Sequence, residues 1–237
     1  EGLLFLQKRP NLSKESFESK LSNGIYVKEE FYSYFGSLPS GGYAIDWIRK
    51  MLDIKNSRSF NELVLRVFNI YKLSGFDNKE ILIIPHIRGS GPPIRSYKSK
   101  GLIYGFDDKT TKADIIFGLF LGLCFELKNL FITFQKLSSI KNPIIKVIGP
   151  ATLNPFWLQL KADVLGCEIH AFEIEEAVAK GAAISFALAQ NIIQQYEWYI
   201  NEKVRIYYPN LKKTEQFNKT FQNKYLYMLN AKKLIEV

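Results

Sequence analysis

The sequence holds few of the residues that form metal and redox sites. It has two cysteines and two histidines among 237 residues. Cys124 and Cys167 stand far apart, which excludes a CxxC-type motif and indicates no disulfide framework. His86 and His170 have no cysteine or carboxylate companions at ligand spacing. We therefore predict no metal-ligating residues. The cysteine usage, and a start without a basic signal region, predict a cytoplasmic protein.

Long apolar runs and long runs of like charge are also missing. The longest apolar stretch, residues 115–125, contains two glycines and is shorter than the roughly 20 residues that a membrane-spanning helix needs. We interpret it as a buried helix. The formal net charge is +9, but the basic residues are scattered along the chain. Scattered lysines are typical of a solvated surface, so we predict neither a nucleic-acid partner nor a membrane partner.

Hydrophobic residues are plentiful, at 47% of the chain, and their order is that of one α/β domain. Short β-rich runs occupy residues 1–36. Helical patterns are expected after residue 42, at about 60–75, 111–137, 154–166 and 177–194, and in a terminal segment, 197–237, whose helix is expected after Pro209. Strands are expected at about 81–85, 101–106, 144–148 and 168–172. We find no internal repeat and no interdomain linker.

The stretch "VIGPATLNPFW", residues 147–157, reads as a strand, a short loop and a capped helix. Asn154 is a good N-cap residue and Pro155 suits the first helical position. The free N–H groups of a helix N-terminus could receive an anion or the polar groups of a nucleotide. Spacing alone leaves open the alternative that Asn154 only caps its own helix.

A second loop, residues 37–42, has a similar design, with two glycines directly before a helix that carries Asp46. Gly41 and Gly42 would let a ligand approach the backbone, although a simple tight turn explains them equally well. The small residues of 176–183 indicate close helix packing. "RGSGPP", residues 88–93, matches neither a Walker loop nor a dinucleotide fingerprint. Asp163 is interpreted as a structural residue.

Four segments in order resemble the C-terminal domain of the FGGY carbohydrate kinases, a family that includes xylulokinases, gluconokinases and glycerol kinases. They are "SGGYAIDWIRK", "IPHIRGSGPPIRSYKSKGLIYGF", "VIGPATLNPFWLQLKADVLG" and "EEAVAKGAAISFALA". The third keeps the family's Trp157, Gln159, Ala162, Asp163 and Gly166. The resemblance covers nearly the whole chain, 1–237, and the last two segments in tandem are its most specific part.

The resemblance implies an actin-like ATPase (ribonuclease H-like) α/β domain, with a mixed sheet flanked by helices, as the second half of a two-domain kinase. The expected activity of the whole protein is phosphoryl transfer from MgATP to a sugar or polyol, with the sugar bound mainly by the first domain. The cofactors implied are ATP and Mg²⁺. Carried over by motif, the nucleotide-binding residues are Gly42, Asp46, Gly149, Pro150, Ala151 and Asn154.

The family's catalytic aspartate is expected upstream of this chain, together with the sugar-binding domain. We therefore expect the chain alone to be inactive, either as an excised domain or as one part of a split kinase. The face that should meet the first domain is expected to be apolar and to favour self-association. The alternative is a non-catalytic actin-like domain that binds a partner or regulates one.

Two departures from the family pattern concern the nucleotide site. The family's glycine triplet is here Gly149-Pro150-Ala151. Proline has no N–H and fixes φ near −65°, and the Cβ of Ala151 narrows the approach to the backbone. The negative charge of Asp46 would repel phosphate if it lay close. We expect weaker nucleotide affinity or a different set of contacts.

Overall fold

A computed structural model of the chain describes residues 1–28, 30–74, 81–138, 140–194 and 203–236. The strands are β1 (Gly2–Gln7), β2 (Ser22–Ile25), β3 (Tyr32–Ser37), β4 (Leu82–Ile84), β5 (Leu102–Tyr104), β6 (Ile145–Val147), β7 (Ile169–Phe172) and β8 (Val204–Tyr207). The α-helices are α1 (Lys14–Glu18), α2 (Gly41–Met51), α3 (Ser57–Ser74), α4 (Lys112–Ser138), α5 (Pro155–Leu165), α6 (Ala177–Ala189), α7 (Leu211–Thr220) and α8 (Leu226–Ile235). A 3₁₀ helix, Pro150–Leu153, precedes α5, and a π-helical turn, Phe221–Tyr225, joins α7 to α8.

The strands form three small sheets within the described ranges. β1, β3 and β2 are antiparallel in that spatial order, and Gly2 pairs with Ser37. β4 and β5 form an antiparallel pair. In the third sheet, β6 is parallel to β7 and β7 is antiparallel to β8. The chain therefore contains a mixed sheet, and its parallel pair is joined through α5, as a βαβ crossover requires.

Helix α4 is the centre of the core. A capping box starts it: Thr111 N donates to the Asp114 carboxylate at 2.9 Å, and Asp114 N donates back to Thr111 Oγ1 at 3.3 Å. The two glycines of its apolar stretch face β4. A Cβ on Gly122 would lie 1.8 Å from the Ile83 carbonyl oxygen, so only glycine allows this close approach.

Among the described helices, α4 is the one long and apolar enough to cross a membrane, but 78% of that segment is buried inside the fold. This burial identifies α4 as a core helix and confirms the interpretation of residues 115–125. Two hydrophobic clusters share α4 and α5. The larger adds α2, α3, β4 and the C-terminal helices, and the smaller adds β1, β3, β6 and β7.

Most of the elements predicted from the sequence are confirmed within a few residues. Local signals located them well: Asn154 caps α5, and Gly166 ends it in the left-handed conformation at φ 69°. Two elements were missed. α1 lies among residues predicted as strands and turns, and β8 lies just before the predicted terminal helix.

The helix predicted for residues 177–194 was too long, because α6 ends at Ala189 and Asn191 takes a positive φ of 55° that a helix cannot continue through. The terminal helix expected after Pro209 is confirmed as α7 and α8. The predicted end of the second helix at Gly75 and the part of the terminal segment at 197–202 lie outside the described residues.

Candidate functional site

One cavity of about 1250 Å³ collects most of the residues proposed for nucleotide binding. Its lining includes β1, β6 and the N-terminal ends of α2 and α5. Four of the six residues lie there: Gly42, Pro150, Ala151 and Asn154. Asp46 and Gly149 are not among its lining residues. The structure thus brings together the two loop-to-helix junctions that the sequence placed far apart.

The junction before α5 is built from local hydrogen bonds. Gly149 has φ 84°, a conformation that favours glycine, and its carbonyl accepts bonds from Thr152 N at 3.0 Å and Thr152 Oγ1 at 2.8 Å. Asn154 Oδ1 accepts a bond from Trp157 N at 3.0 Å. The side-chain oxygen of Asn154 therefore caps its own helix, as the alternative interpretation held.

Pro150 and Ala151 have a structural explanation. Pro150 starts the 3₁₀ helix, a position where a backbone N–H would have no helical partner. Ala151 is half-buried and packs against the larger hydrophobic cluster. Proline and alanine are therefore compatible with this turn, but proline also removes one N–H donor from the cavity wall.

The junction before α2 differs in what its two glycines do. A Cβ on Gly41 would lie 2.8 Å from the N atom of Glu1, so this glycine allows α2 to pack on the residue that precedes β1. A Cβ on Gly42 would meet nothing within 4 Å. Ser40 does not cap α2 with its side chain; its Oγ accepts a bond from Arg88 N at 3.2 Å. Gly42 therefore leaves open space beside the first turn of α2.

Asp46 is paired on its own helix. Its carboxylate lies 2.8 Å from Lys50 Nζ and 2.7 Å from Arg49 Nη2. Hydrogen bonds from Lys50 and then Arg49 lower the pKa of Asp46 below its usual value. The two cations offset the negative charge that we expected to repel phosphate.

Sequence reasoning missed a buried cation in the cavity wall. Lys161 is 1% exposed, forms an ion pair with Glu1, and its Nζ lies 3.9 Å from the ring centroid of Trp157. Lysine is rarely buried to this degree unless it is paired. A lysine inside an otherwise apolar helix was the available signal of a buried cation. Its partner, Glu1, lies far away in the sequence, so spacing could not reveal the pair.

Asp163, interpreted as structural, ties three segments together beneath the cavity. Its carboxylate accepts bonds from Tyr71 Oη at 2.5 Å, Asn210 N at 2.7 Å and Gln159 Nε2 at 3.1 Å. Burial raises the pKa of Asp163, while these bonds oppose the shift. Burial, and then the same carboxylate, raise the pKa of Tyr71 far above its usual value.

The small residues of α6 do not pack closely against another described element, although the sequence predicts such packing. Gly181, Ala182 and Ala183 are exposed, and a Cβ on Gly181 would meet nothing within 4 Å.

Among the described residues, no three His, Cys, Asp or Glu side chains come together as a metal site. The cavity thus offers mainly apolar side chains, with one buried cation and the small residues of the two helix junctions, for holding a ligand.

Comparison with known proteins gives the family. The model of the "FGGY family of carbohydrate kinases, C-terminal domain" matches residues 1–190. Glycerol kinase of Enterococcus faecalis is 27% identical over 180 residues, which cover 76% of this chain and 34% of that protein. Glycerol kinase 1 of Lactiplantibacillus plantarum is 28% identical over 189 residues, covering 80% of this chain and 36% of the relative. The chain therefore spans about a third of the length of the curated relatives it matches.

Solved structures give the fold. The xylulose kinase from Lactobacillus acidophilus superposes with a TM-score of 0.79 at 18% identity, over 97% of this chain and 45% of that one. The Plasmodium falciparum glycerol kinase with ADP superposes with a TM-score of 0.76 at 18% identity, over 96% and 45%. These likenesses confirm the predicted actin-like α/β fold. With a family match over most of its length, the chain belongs to the FGGY family of carbohydrate kinases, as its C-terminal domain.

Proposed function

We propose that this chain is the nucleotide-binding half of an ATP-dependent sugar or polyol kinase, which transfers a phosphoryl group from MgATP to a hydroxyl of the acceptor. The observation that carries the proposal is the meeting of two helix N-termini, those of α2 and α5, at one cavity in a domain of this family. Helix N-termini present N–H donors and a positive dipole end, which favour phosphate.

Within the proposed site, each residue has a physical role. Gly42 leaves room for the ligand beside α2, and Ala151 and Asn154 form the facing wall. Gly149 allows the turn that positions this wall. Asp46 lies outside the cavity lining and stays paired with Arg49 and Lys50. Pro150 contributes shape and no N–H donor, which predicts lower affinity than a glycine at this position would give.

The acceptor and the chemical step belong to the other half of the kinase. We propose that the catalytic aspartate and the sugar or polyol site come from the N-terminal domain, so that the chain alone turns over no substrate. Mg²⁺ accompanies the nucleotide phosphates, since that ion prefers phosphate and water ligands to an all-protein site. The relatives matched by sequence are glycerol kinases, which favours a small polyol as acceptor. The cytoplasm, where ATP and such acceptors meet, is the proposed location.

Calorimetry with ADP and Mg²⁺ tests the nucleotide site. We expect measurable binding at about 1 mM ligand or below. Gly42→Leu should weaken it at least about tenfold, because the new side chain fills space that meets no protein atom. Gly24→Leu is the matched control, since a Cβ on Gly24 also meets nothing within 4 Å and Gly24 lies on β2, away from the cavity lining.

Absence of ADP binding by a folded sample at millimolar concentration would overturn the nucleotide site. It would leave the non-catalytic, partner-binding actin-like domain as the better hypothesis, with Pro150 and Ala151 as its physical basis. Equal loss of binding in the Gly42→Leu and Gly24→Leu variants would place the ligand somewhere other than the α2 junction.

A further inference from the structure

Residues 203–236, here called the C-terminal segment, lie beyond the region that the family model matches. They comprise β8, α7, the π-helical turn and α8. None of these described residues lines the cavity. Two of their basic side chains nevertheless bond the parts of the chain that hold the two helix junctions: Arg205 on the side of α5, and Lys232 on the side of α2.

Arg205 of β8 bonds the turn that precedes α5. It stands opposite Ala171 of β7 in the antiparallel ladder, so the two side chains share the face of the sheet that packs on α5. Arg205 Nη2 donates to the Thr152 carbonyl at 2.7 Å, and Arg205 Nε lies 2.8 Å from the Glu173 carboxylate. The guanidinium therefore ties β8 to the 3₁₀ helix.

The carbonyl that Arg205 bonds belongs to the residue that closes this turn. Thr152 is buried, and its N and Oγ1 both donate to the Gly149 carbonyl. Asn154 N then donates to the Ala151 carbonyl at 3.2 Å. Ala151 and Asn154 line the cavity on either side of this bonded residue. Because a bond from a guanidinium is charge-assisted, Arg205 fixes the turn more strongly than a neutral donor would.

The loop between β4 and β5, residues 85–101, supports the junction before α2. Arg88 N donates to Ser40 Oγ at 3.2 Å, and the Arg88 guanidinium lies 3.5 Å from the ring centroid of Tyr43. Gly42, which lines the cavity, stands between these two contacted residues. The position of the β4–β5 loop therefore determines the position of the first turn of α2.

The β4–β5 loop is held in one shape by its own bonds. Ser90 N donates to the Ser96 carbonyl at 2.8 Å, and Ser96 N donates back to the Ser90 carbonyl at 3.3 Å. The loop also packs closely on the end of β3, since a Cβ on Gly91 would lie 2.3 Å from the Ser37 carbonyl oxygen. A displacement at one end of such a loop is carried to the residues that contact Ser40 and Tyr43.

Lys232 of α8 holds both ends of this loop. It is 5% exposed, and its Nζ donates to Ser99 Oγ at 2.5 Å and to Glu236 Oε1 at 2.6 Å. Ser99 Oγ lies 2.9 Å from Nδ1 of His86, at the start of the loop. The Glu236 carboxylate also accepts a bond from Lys100 N, at the end of the loop. Helix α8 is thus tied to the loop by a buried, paired cation.

We propose that the C-terminal segment positions both walls of the nucleotide site. Arg205 acts through the turn before α5, and Lys232 acts through the β4–β5 loop on the turn before α2. Neither side chain lines the cavity, so both are positioning residues. Turns that are already fixed cost less to order when a ligand binds, which raises affinity. The inference rests on the proposed function for the identity of the ligand, whereas the two bonded connections are independent of it.

Native-state hydrogen exchange of the chain measures the two turns separately. Arg205→Met should speed exchange at the Thr152 and Asn154 amides at least about fivefold and leave the Ala44 amide within about twofold. Lys232→Met should do the reverse, because Ala44 N donates to the Ser40 carbonyl in the first turn of α2. Each variant is thus the control for the other.

ADP calorimetry measures the consequence for binding, on samples shown to be folded by circular dichroism. Arg205→Met and Lys232→Met should each weaken ADP binding about three- to tenfold. Arg205→Lys keeps a cation that can donate to the Thr152 carbonyl and should recover most of the loss. Lys233→Met is the matched control for Lys232→Met, because Lys233 is exposed and its Nζ bonds Asn230 of its own helix. It should bind ADP within about twofold of the parent.

A second variant covers the case in which Lys232→Met does not fold. Ser99→Ala removes the hydroxyl that joins Lys232 to His86 and leaves Lys232 paired with Glu236. It should speed exchange at the Ala44 amide in the same way.

Exchange that rises equally at both turns in each variant would show a general loss of stability and overturn the two separate connections. Exchange that stays unchanged at both turns would overturn them as well. Faster exchange at the expected turn with unchanged ADP affinity would show that the turns do not set nucleotide binding. A parent chain that binds no ADP contradicts the proposed nucleotide site, while the exchange measurements still decide whether the C-terminal segment positions the two turns.

Discussion

Helices α5 and α6 are similar in apolar composition and opposite in environment. Both are mainly apolar and both follow a strand of the β6–β7 region. α5 buries nine of its eleven residues, whereas none of the thirteen residues of α6 is buried. In α6, Val178 is 86% exposed and Phe186 is 64% exposed. Apolar composition alone therefore does not decide whether a helix lies in the core.

The difference comes from what surrounds each helix. α5 has a side-chain cap at Asn154, a left-handed glycine at its end, and packs against α3, α4 and α7. α6 begins at Glu176 in a left-handed conformation with no side-chain cap bond. We propose that the exposed apolar residues of α6 form a surface for self-association.

The largest difference in the free energy of unfolding is expected between substitutions of one phenylalanine in each helix. Phe156 is 1% exposed and contacts the rings of Phe68, Tyr71 and Phe120 at centroid distances of 5.9, 5.8 and 5.4 Å. Phe156→Ala should lower the free energy of unfolding by about 3–5 kcal/mol, because it leaves a cavity in the core. Phe186→Ala, the matched change in α6, should alter it by at most about 0.5 kcal/mol. Urea unfolding measures both, and a similar loss in the two variants would contradict the contrast.

A second effect on stability concerns the buried lysine that donates a hydrogen bond near the C-terminal end of α5. Lys128 of α4 is 7% exposed, its Nζ donates to the Val164 carbonyl, and burial lowers its pKa to about 8. Since the unfolded lysine has a pKa near 10.5, the unfolded state binds more protons between these values. Lys128 should therefore contribute a rise in stability as pH increases from about 8 to 10.5.

Lys128→Met should remove this rise and increase the free energy of unfolding at pH 7 by about 2 kcal/mol, after the loss of the Val164 bond is counted. Lys136→Met, on an exposed position of the same helix, is the control and should change stability at pH 7 by less than about 0.5 kcal/mol. Unfolding followed from pH 7 to 10.5 checks both. The same pH dependence in the parent and in Lys128→Met would show that the folded lysine keeps its usual pKa.

Substitution of the residues that precede α5 and α6 should have a smaller effect on stability. Asn154→Ala removes the side-chain bond to Trp157 N and should cost about 1 kcal/mol. Glu176→Ala changes the residue that precedes α6, where no side-chain cap bond exists, and should cost less than about 0.5 kcal/mol. Thermal unfolding of the two variants compares the caps directly. Equal costs would mean that Asn154 stabilises α5 by something other than its cap.

The smallest effect on stability, and the largest on assembly, is expected for the exposed face of α6. Phe186→Glu should leave the thermal midpoint of a dilute sample nearly unchanged, because Phe186 is mostly exposed. It should reduce the self-association that we propose for this surface, seen by sedimentation across a range of concentrations. A parent chain that stays monomeric throughout that range would remove α6 as an association surface.

Local signals made much of this fold predictable from the sequence. The capping box at Thr111, the Asn154-Pro155 start and the Gly166 end each depend on neighbours within a few residues, so spacing alone located them. The Lys161–Glu1 ion pair and the Tyr71–Asp163 bond could not be foreseen in this way, because each joins residues far apart in sequence. The exposure of α6 was equally hidden, since composition does not reveal whether another element covers a helix.

The aromatic side chains of the C-terminal helices bear on where this folding unit ends. Phe221 and Tyr225 lie 5.5 and 4.9 Å, between ring centroids, from Phe125 of α4, and Leu229 is also buried. The family match stops at residue 190, before any of these residues. A gene fragment cut at that position would expose part of the buried core helix α4 to water. Expression of the domain should therefore extend at least through α8.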